Sequence, residues 1–171
     1  MMMDMLFVMC PQNSFLSSAG SLYMGEKAED LKIRLKDYIG GFTGKRVFFK
    51  EKHAHDDSYF GRDRTHSIAT TEDYKIEASL QPLANLIYDK TRYSAFHNTG
   101  LEQFLIREKV QEVGIVGLET HTSILFTAEE LINRGISVKI IEPCTMARDE
   151  HMHNFAISLM SNFLGVHISN G

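Results

Sequence analysis

Short apolar runs alternate along the chain with segments in which apolar residues recur every three or four positions. The apolar runs indicate buried strands, and the periodic segments indicate helices with one face toward a core. The predicted strands are MLFVM (5–9), RVFFK (46–50), LIYDK (86–90), EVGIVGL (112–118), SVKII (137–141) and VHI (166–168). Helices are predicted over 28–39, 101–110, 120–134 and 146–163, whereas the polar segment 51–81 has no clear period.

Alternation of strands and helices predicts an α/β fold in which right-handed connections build a parallel sheet with helices on both faces. Ligands of such sheets bind beyond the carboxyl ends of the strands. The residues that follow a predicted strand are therefore candidates for a site. They are Cys10, Glu51, Lys90, Glu119–Ser123 and Glu142–Thr145.

Composition narrows the class of protein. A chain of 171 residues is expected to form a single domain over 1–171. The net charge of −4 comes without a basic patch, so a nucleic-acid partner is not expected. No apolar run approaches the roughly 18 residues that span a membrane, and two cysteines favour a cytoplasmic location. Neither GGFTGK (40–45) nor GIVG (114–117) has the spacing of a phosphate or dinucleotide loop.

The polar segment after the second strand offers candidate metal ligands. Glu51, His53, His55 and His66 could supply three or four donors, and mixed carboxylate and imidazole donors suit zinc, iron or manganese. The alternative is that these histidines are solvated loop residues. No cofactor is required by the pattern, and a divalent metal is one of two interpretations.

Two further candidates lie at or just beyond the end of a predicted buried strand. Desolvation of Lys90 would lower its pKa and make it a base, although a lysine in this position commonly extends to solvent instead. Ser123 lies in the first turn of the helix predicted after Leu118, where free N–H groups stabilise an anion. This placement takes Thr120 as the cap of the helix. The alternative is that Ser123 is an ordinary serine near a helix start, where serine is common.

Several of these segments, taken in order, resemble the isochorismatase-like hydrolase family, which includes nicotinamidases and other cysteine hydrolases. The similarity is carried by PQNSF at 11–15, K-T-R-Y-S-A-F at 90–96, T-x-L-x-x-x-L at 99–105 and G-L-E-T-H-T-S-I-L-F-T-A at 117–128, followed by E-P-C-T at 142–145. The resemblance implies a three-layer Rossmann-like fold with a six-stranded parallel sheet covered by helices on both faces. It also implies a cis peptide at Leu118–Glu119 and a homo-oligomer, either a dimer or a tetramer.

The resemblance also implies a catalytic trio, from which this chain departs at two positions. The family uses an aspartate after strand one, a lysine after strand three and a nucleophilic cysteine on the helix after strand four. Lys90 matches the lysine, but Cys10 stands in place of the aspartate and Ser123 in place of the cysteine. Backbone N–H groups around Glu119, Thr120, His121 and Thr122 would form the oxyanion and substrate site. Glu51, His53 and His66 fall near the metal ligands of the nicotinamidase branch.

Three hypotheses follow. In the first, the chain is a hydrolase of a small amide or related carbonyl compound. A neutral Lys90 deprotonates Ser123, or Cys10 acts as the nucleophile beside Lys90. In the second, it is a catalytically inactive relative that binds a small molecule or a protein partner. In the third it is a scaffold, which an apolar, filled pocket at the strand ends would support.

Overall fold

The computed structural model describes residues 3–58 and 65–171, so 59–64 of the predicted polar segment lie outside the described residues. In the described part of the chain, six strands form one sheet. They are β1 (Met5–Met9), β2 (Lys45–Glu51), β3 (Leu86–Lys90), β4 (Glu112–Leu118), β5 (Ser137–Met146) and β6 (His167–Ser169). All neighbours are parallel, in the order β3-β2-β1-β4-β5-β6. The predicted six-stranded parallel α/β fold is therefore confirmed.

Helices connect the strands. They are α1 (Asn13–Leu16), α2 (Glu26–Gly41), α3 (Leu101–Glu108), α4 (Leu125–Asn133) and α5 (Glu150–Phe163). A π-helical turn, Thr120–Ile124, leads into α4, and single 3₁₀ turns occupy Glu72–Tyr74 and Gln81–Leu83. Within the residues described, no helix is both long and apolar enough to cross a bilayer.

Several boundaries differ from the sequence prediction, and those of β5 and of the last long helix bear on the site. β5 continues to Met146, so Glu142–Thr145 belong to the strand and do not follow it. The last long helix consequently begins at Glu150 and not at residue 146, because the Asp149 carboxylate accepts hydrogen bonds from the N–H groups of His151 and Met152. Such a side-chain cap satisfies the free donors of a first helical turn and fixes where the helix starts.

Apolar layers cover both faces of the sheet. On β1, Phe7 and Met9 join a cluster that includes residues of α3 and α4, whereas Leu6 and Val8 join a cluster that includes residues of α2. Every residue of β1 is buried, as expected of a strand that is covered on both faces. The described fold thus leaves the carboxyl ends of the central strands as the place where polar side chains collect.

Close contact between β1 and β4 brings two of these strand ends together. A Cβ on Gly117 would lie 2.1 Å from the Met9 carbonyl oxygen, and Gly117 has φ +109°, so only glycine fits this position without strain. The peptide bond Leu118–Glu119, directly after β4, is cis, which confirms the expectation drawn from the family resemblance.

Candidate active site

The three residues named as catalytic candidates lie together at the strand ends. Ser123 Oγ accepts a hydrogen bond from Lys90 Nζ at 2.9 Å and another from Cys10 Sγ at 3.5 Å. All three residues are fully buried. Parallel strands β1 and β3 supply two of them, and the turn after β4 supplies Ser123, so the topology of the sheet creates this cluster.

Glu51 is a fourth member that the sequence analysis assigned only to a metal site. Its Oε1 atom lies 3.1 Å from Lys90 Nζ and 3.3 Å from Ser123 Oγ. Glu51 and Lys90 are register partners at the ends of neighbouring strands β2 and β3. This pairing could have been anticipated, because Glu51 directly follows one predicted strand and Lys90 ends the next, but the reach of Glu51 to Ser123 could not.

Lys90 is held as an ammonium. Its Nζ donates to Glu51 Oε1, to Ser123 Oγ and to the carbonyl oxygen of Arg92 at 3.1 Å, which accounts for the three N–H bonds of an ammonium. Burial by itself disfavours the charge, but the Cys10 sulfur and the Glu51 carboxylate outweigh it and raise the pKa of Lys90. The expectation that burial makes Lys90 a neutral base is therefore wrong, because a carboxylate accompanies it.

Cys10 is a protonated thiol. Burial raises the pKa of Cys10 to about 12; the Lys90 charge opposes this rise and the Glu51 carboxylate adds to it. Its backbone has φ +47°, a left-handed conformation that side chains other than glycine, asparagine and aspartate seldom adopt. A thiol in this state donates to Ser123 and is a weak nucleophile, since the thiolate is the reactive species.

Gln12 holds Glu51 in place, a role that the sequence analysis did not identify. The Gln12 Oε1 atom accepts from the Glu51 N–H at 2.7 Å, and Gln12 Nε2 donates to the Glu51 carbonyl oxygen at 2.9 Å. Gln12 is fully buried and follows β1 within the PQNSF segment. Its amide therefore extends the pairing of β1 with β2 to Glu51, two residues beyond Phe49, where the backbone pairing ends.

The predicted metal ligands also converge. The ligand atoms of Glu51, His53 and His66 lie within 4.8 Å of one another, and all three residues are buried. Glu51 Oε2 lies 2.6 Å from His66 Nε2 and 3.7 Å from His53 Nε2, whereas His55 is exposed. Two imidazoles and one carboxylate form a donor set that suits zinc, so these residues fit a divalent metal.

Glu51 is ionised although it is buried. Burial raises the pKa of a carboxyl group, but the Lys90 charge and hydrogen bonds from His53 and His66 overcome this effect and hold the pKa of Glu51 well below its usual range. One carboxylate therefore contacts two clusters, with Oε1 toward Lys90 and Ser123 and Oε2 toward the histidines.

Three of the residues predicted to form an oxyanion site make hydrogen bonds to other protein groups. The buried Glu119 side chain pairs with Arg148, whose Nε and Nη2 atoms lie 2.9 and 3.0 Å from its two oxygens. The Thr120 hydroxyl contacts His153 Nδ1 at 2.8 Å and does not cap the helix. The N–H of Thr122 donates to the Glu119 carbonyl oxygen. The Thr122 N–H, one of the predicted oxyanion donors, is thus already hydrogen-bonded within the turn.

Two cavities open beside these residues. One, of about 580 Å³, is bordered by Lys27, Glu119, His121 and Arg148 among others. The second, of about 610 Å³, is bordered by residues next to the candidate metal site, including Lys52, His53, Asp57 and Arg92. Both cavities are open, and each is bordered by several charged side chains, which counts against the scaffold hypothesis, because that hypothesis expects a pocket filled by apolar side chains.

The class of protein follows from comparison with known families. The Isochorismatase domain matches residues 7–170. The chain therefore belongs to the isochorismatase family of hydrolases.

Individual relatives agree with this assignment. The uncharacterized isochorismatase family protein PncA of Bacillus subtilis strain 168 is 29% identical over 174 residues, which cover 92% of this chain and 93% of the relative. The crystal structure of nicotinamidase PncA from Bacillus subtilis has a TM-score of 0.90 at 27% identity and covers 99% of this chain and 100% of its own. The pyrazinamidase of Pyrococcus horikoshii, solved in complex with zinc, shares the fold, with a TM-score of 0.86 at 21% identity over 98% of both chains.

Proposed function

We propose that this protein hydrolyses a small amide or a related carbonyl compound, with Ser123 as the nucleophile. The observation that carries the proposal is the position of Ser123. Its hydroxyl lies at the start of the helical segment after β4 and accepts a hydrogen bond from the Lys90 ammonium at 2.9 Å. Similarity to a nicotinamidase structure supports an amide as the substrate class.

In this proposal Lys90 has an electrostatic role. Its ammonium stabilises negative charge on the Ser123 oxygen while that oxygen attacks the carbonyl carbon, and a fixed charge in a dry site is effective because it needs no reorganisation. The carbonyl oxygen of the substrate gains negative charge in the same step. N–H groups at the helical turn and the positive end of the helix dipole would stabilise it.

Ser123 is favoured over Cys10 as the nucleophile. The pKa of Cys10 is raised to about 12, so its thiol stays protonated at neutral pH. The Cys10 thiol also donates a hydrogen bond to Ser123 Oγ. This bond orients the hydroxyl, and it engages the hydrogen of the thiol. Cys10 is therefore assigned to the support of Ser123.

A divalent metal would be held by Glu51, His53 and His66. Bound there, zinc would supply a Lewis acid that polarises and orients a group of the substrate. The cavity bordered by Lys52, His53 and Asp57 adjoins these residues and is large enough for a small amide. It is the proposed substrate site.

Ammonia release from a panel of small aromatic and aliphatic amides tests the proposal, with nicotinamide and pyrazinamide among them. We expect the wild-type protein to hydrolyse at least one amide, and we expect S123A and K90M to lose that activity by roughly 10³-fold or more. C144A, which changes the other cysteine, is the control and should keep the activity. Turnover that persists in S123A would contradict the assigned nucleophile.

A second candidate function is that of an inactive relative that binds a small molecule. The observation in its favour is that Cys10, Lys90 and Ser123 have no exposed surface. This candidate predicts that no amide of the panel is hydrolysed, while one of them still raises the melting temperature.

We also propose that the protein is a cytoplasmic homo-oligomer, either a dimer or a tetramer. Large apolar side chains are exposed on two helices, namely Phe126 on α4 and Phe155 and Phe163 on α5. Light scattering on the purified protein tests for a dimer or tetramer.

A further inference from the structure

We propose that Glu51 is a catalytic residue that takes the proton from Ser123 and later returns it. The inference rests on the proposed function in one respect, namely that Ser123 is the nucleophile. It is carried by the hydrogen bond from Ser123 Oγ to Glu51 Oε1 at 3.3 Å and by the directions of the other bonds around that hydroxyl.

The hydroxyl of Ser123 has one hydrogen and two lone pairs. Lys90 Nζ and Cys10 Sγ both donate to the oxygen, which occupies the lone pairs. The remaining direction is that of the O–H bond, and it points to Glu51. Among residues 3–58 and 65–171, Glu51 is the carboxylate that contacts this hydroxyl. The Ser123 hydroxyl therefore donates to Glu51, as it must if Glu51 is to remove its proton.

Lys90 cannot accept that proton, because its ammonium already donates to three acceptors. It stands between the carboxylate and the hydroxyl and holds both, with distances of 3.1 Å and 2.9 Å from its nitrogen. Lys90 favours the alkoxide electrostatically from 2.9 Å, which offsets the low basicity that the same ammonium gives to Glu51, and Glu51 receives the hydrogen.

The length of the Glu51 side chain decides whether it can act. Gln12 fixes the backbone of Glu51 through both its N–H and its C=O groups, so the backbone cannot shift toward Ser123. An aspartate at this position would place its oxygens about 1.5 Å farther back, the length of one carbon–carbon bond. The separation from Ser123 Oγ, which is 3.3 Å with glutamate, would then lengthen well beyond hydrogen-bond distance.

The two oxygens of Glu51 face different partners, which makes this role compatible with a bound metal. Oε2 lies toward His53 and His66, and Oε1 lies toward Ser123. A metal held on the Oε2 side would leave Oε1 beside the hydroxyl.

The reaction balances with water as the second substrate. Ser123 Oγ bonds to the carbonyl carbon and gives its proton to Glu51; the carbon–nitrogen bond then breaks, and Glu51 protonates the departing amine. Water attacks the resulting ester and gives a proton to Glu51. The ester bond to Oγ breaks, Glu51 returns the proton to Ser123, and an acid and an amine have formed.

Reaction with methanesulfonyl fluoride tests the proposal independently of amide turnover. The reagent forms an oxygen–sulfur bond to Ser123 and expels fluoride, and the proton again leaves the hydroxyl. Mass spectrometry measures the rate of modification at Ser123 in saturating zinc, and zinc per chain is measured in parallel. We expect E51Q and E51D to react roughly 10²-fold more slowly than the wild type, the usual contribution of a general base.

Two further variants sharpen the test. E102D is the matched control, because Glu102 is an exposed surface residue paired with Arg134, and it should react at the wild-type rate. The double variant C10D/E51D moves a carboxylate to position 10, whose sulfur lies 3.5 Å from Ser123 Oγ and whose left-handed backbone tolerates aspartate. It should react at least 10-fold faster than E51D.

The outcomes separate this inference from the proposed function. Slow modification of E51D at full zinc occupancy, with recovery in folded C10D/E51D, supports the inference even if no amide is hydrolysed. If the double variant does not fold, E51D and E51Q decide alone. The inference is overturned if E51D reacts at the wild-type rate in saturating zinc, if folded C10D/E51D shows no recovery, or if wild-type Ser123 is not modified. Amide turnover by the wild type would leave the proposed function standing in each of those cases.

Discussion

The ends of β1 and β2 lie side by side, yet they present opposite chemical states to the same serine. Cys10 follows β1 and keeps its proton, with a pKa of about 12, whereas Glu51 ends β2 and is ionised, with its pKa well below the usual range. Both residues are buried, and burial raises the pKa of both acids. The two pKa values nevertheless shift in opposite directions from their ordinary values of 9.0 and 4.5, and this difference must come from their partners.

Those partners are distributed unequally. Glu51 has the Lys90 ammonium on one oxygen and His53 and His66 on the other, so its charge is compensated on both sides. Cys10 feels the same ammonium, but it also feels the Glu51 charge, which disfavours a second anion. The comparison shows that one buried cation supports one buried anion at these strand ends.

The largest expected effect comes from removal of that cation. Lys90→Met leaves the Glu51 carboxylate buried without its ammonium, and loss of one partner of a buried pair costs about 3–5 kcal/mol of unfolding free energy. Urea unfolding measures the loss, and the double variant K90M/E51Q should recover most of it. Lys45→Met, which removes an exposed partner of Glu108, is the control and should change little. Equal stability of K90M and the wild type would contradict the comparison.

The second prediction concerns the reactivity of the thiol. In a Cys144→Ala background, Cys10 should react with iodoacetamide at pH 8.5 roughly 10³-fold more slowly than a free thiol, because its pKa lies about three pH units above the ordinary value of 9.0. The thiolate forms only as the pH rises toward 12, so the rate should rise with pH. Alkylation at the rate of a free thiol would restore Cys10 as a candidate nucleophile.

The third prediction tests whether the histidines beside Glu51 bind a metal. Removal of one ligand by His66→Ala should weaken zinc binding by at least about 10-fold in calorimetric titration. His97→Ala is the matched control, since His97 is exposed and lies outside the cluster. Unchanged zinc affinity in H66A would show that His66 is not a metal ligand and serves only as a hydrogen-bond partner of Glu51.

The smallest effect is expected at Cys10 itself. Cys10→Ala removes the donor to Ser123 and should lower the unfolding free energy by about 1 kcal/mol, as for a typical buried hydrogen bond. Cys10→Ser keeps a donor and should cost less. A larger loss in the serine variant than in the alanine variant would show that the thiol acts through packing alone.

Much of this arrangement could be predicted from the sequence. Strands covered on both faces read as continuous apolar runs, so β1 and β4 were predicted with the bounds that the structure has. The bounds of β3 were also predicted correctly, although this edge strand is largely exposed. Parallel strands place their carboxyl ends at one edge, which brought Cys10, Lys90 and Ser123 together as expected. The three metal candidates also converged, but for a different reason. Only Glu51 lies on a strand, whereas His53 and His66 lie beyond the end of β2, where His53 forms a bridge with Ile68.

The remaining features depend on geometry that periodicity does not report. The position of Glu51 between two clusters depends on the register of β2 with β3 and on the reach of one methylene group. The protonated state of Lys90 was predicted wrongly because its carboxylate partner was assigned elsewhere. The sequence of the π-helical turn at Thr120–Ile124 looks like the first turn of an ordinary helix, because its one apolar residue, Ile124, continues the apolar face of α4.

The place of β3 in the strand order has a consequence for the persistence of the site. Within the described sheet, β3 is an edge strand that pairs with β2 alone, and Leu86 and Ile87 on it are exposed. Edge strands exchange their amide hydrogens through local openings that need not unfold the rest of a protein. An opening of β3 would withdraw Lys90 while β1, β2 and β4 stay paired. The free energy needed to disassemble the site is then that of fraying one short strand, and local openings of this kind cost less than global unfolding.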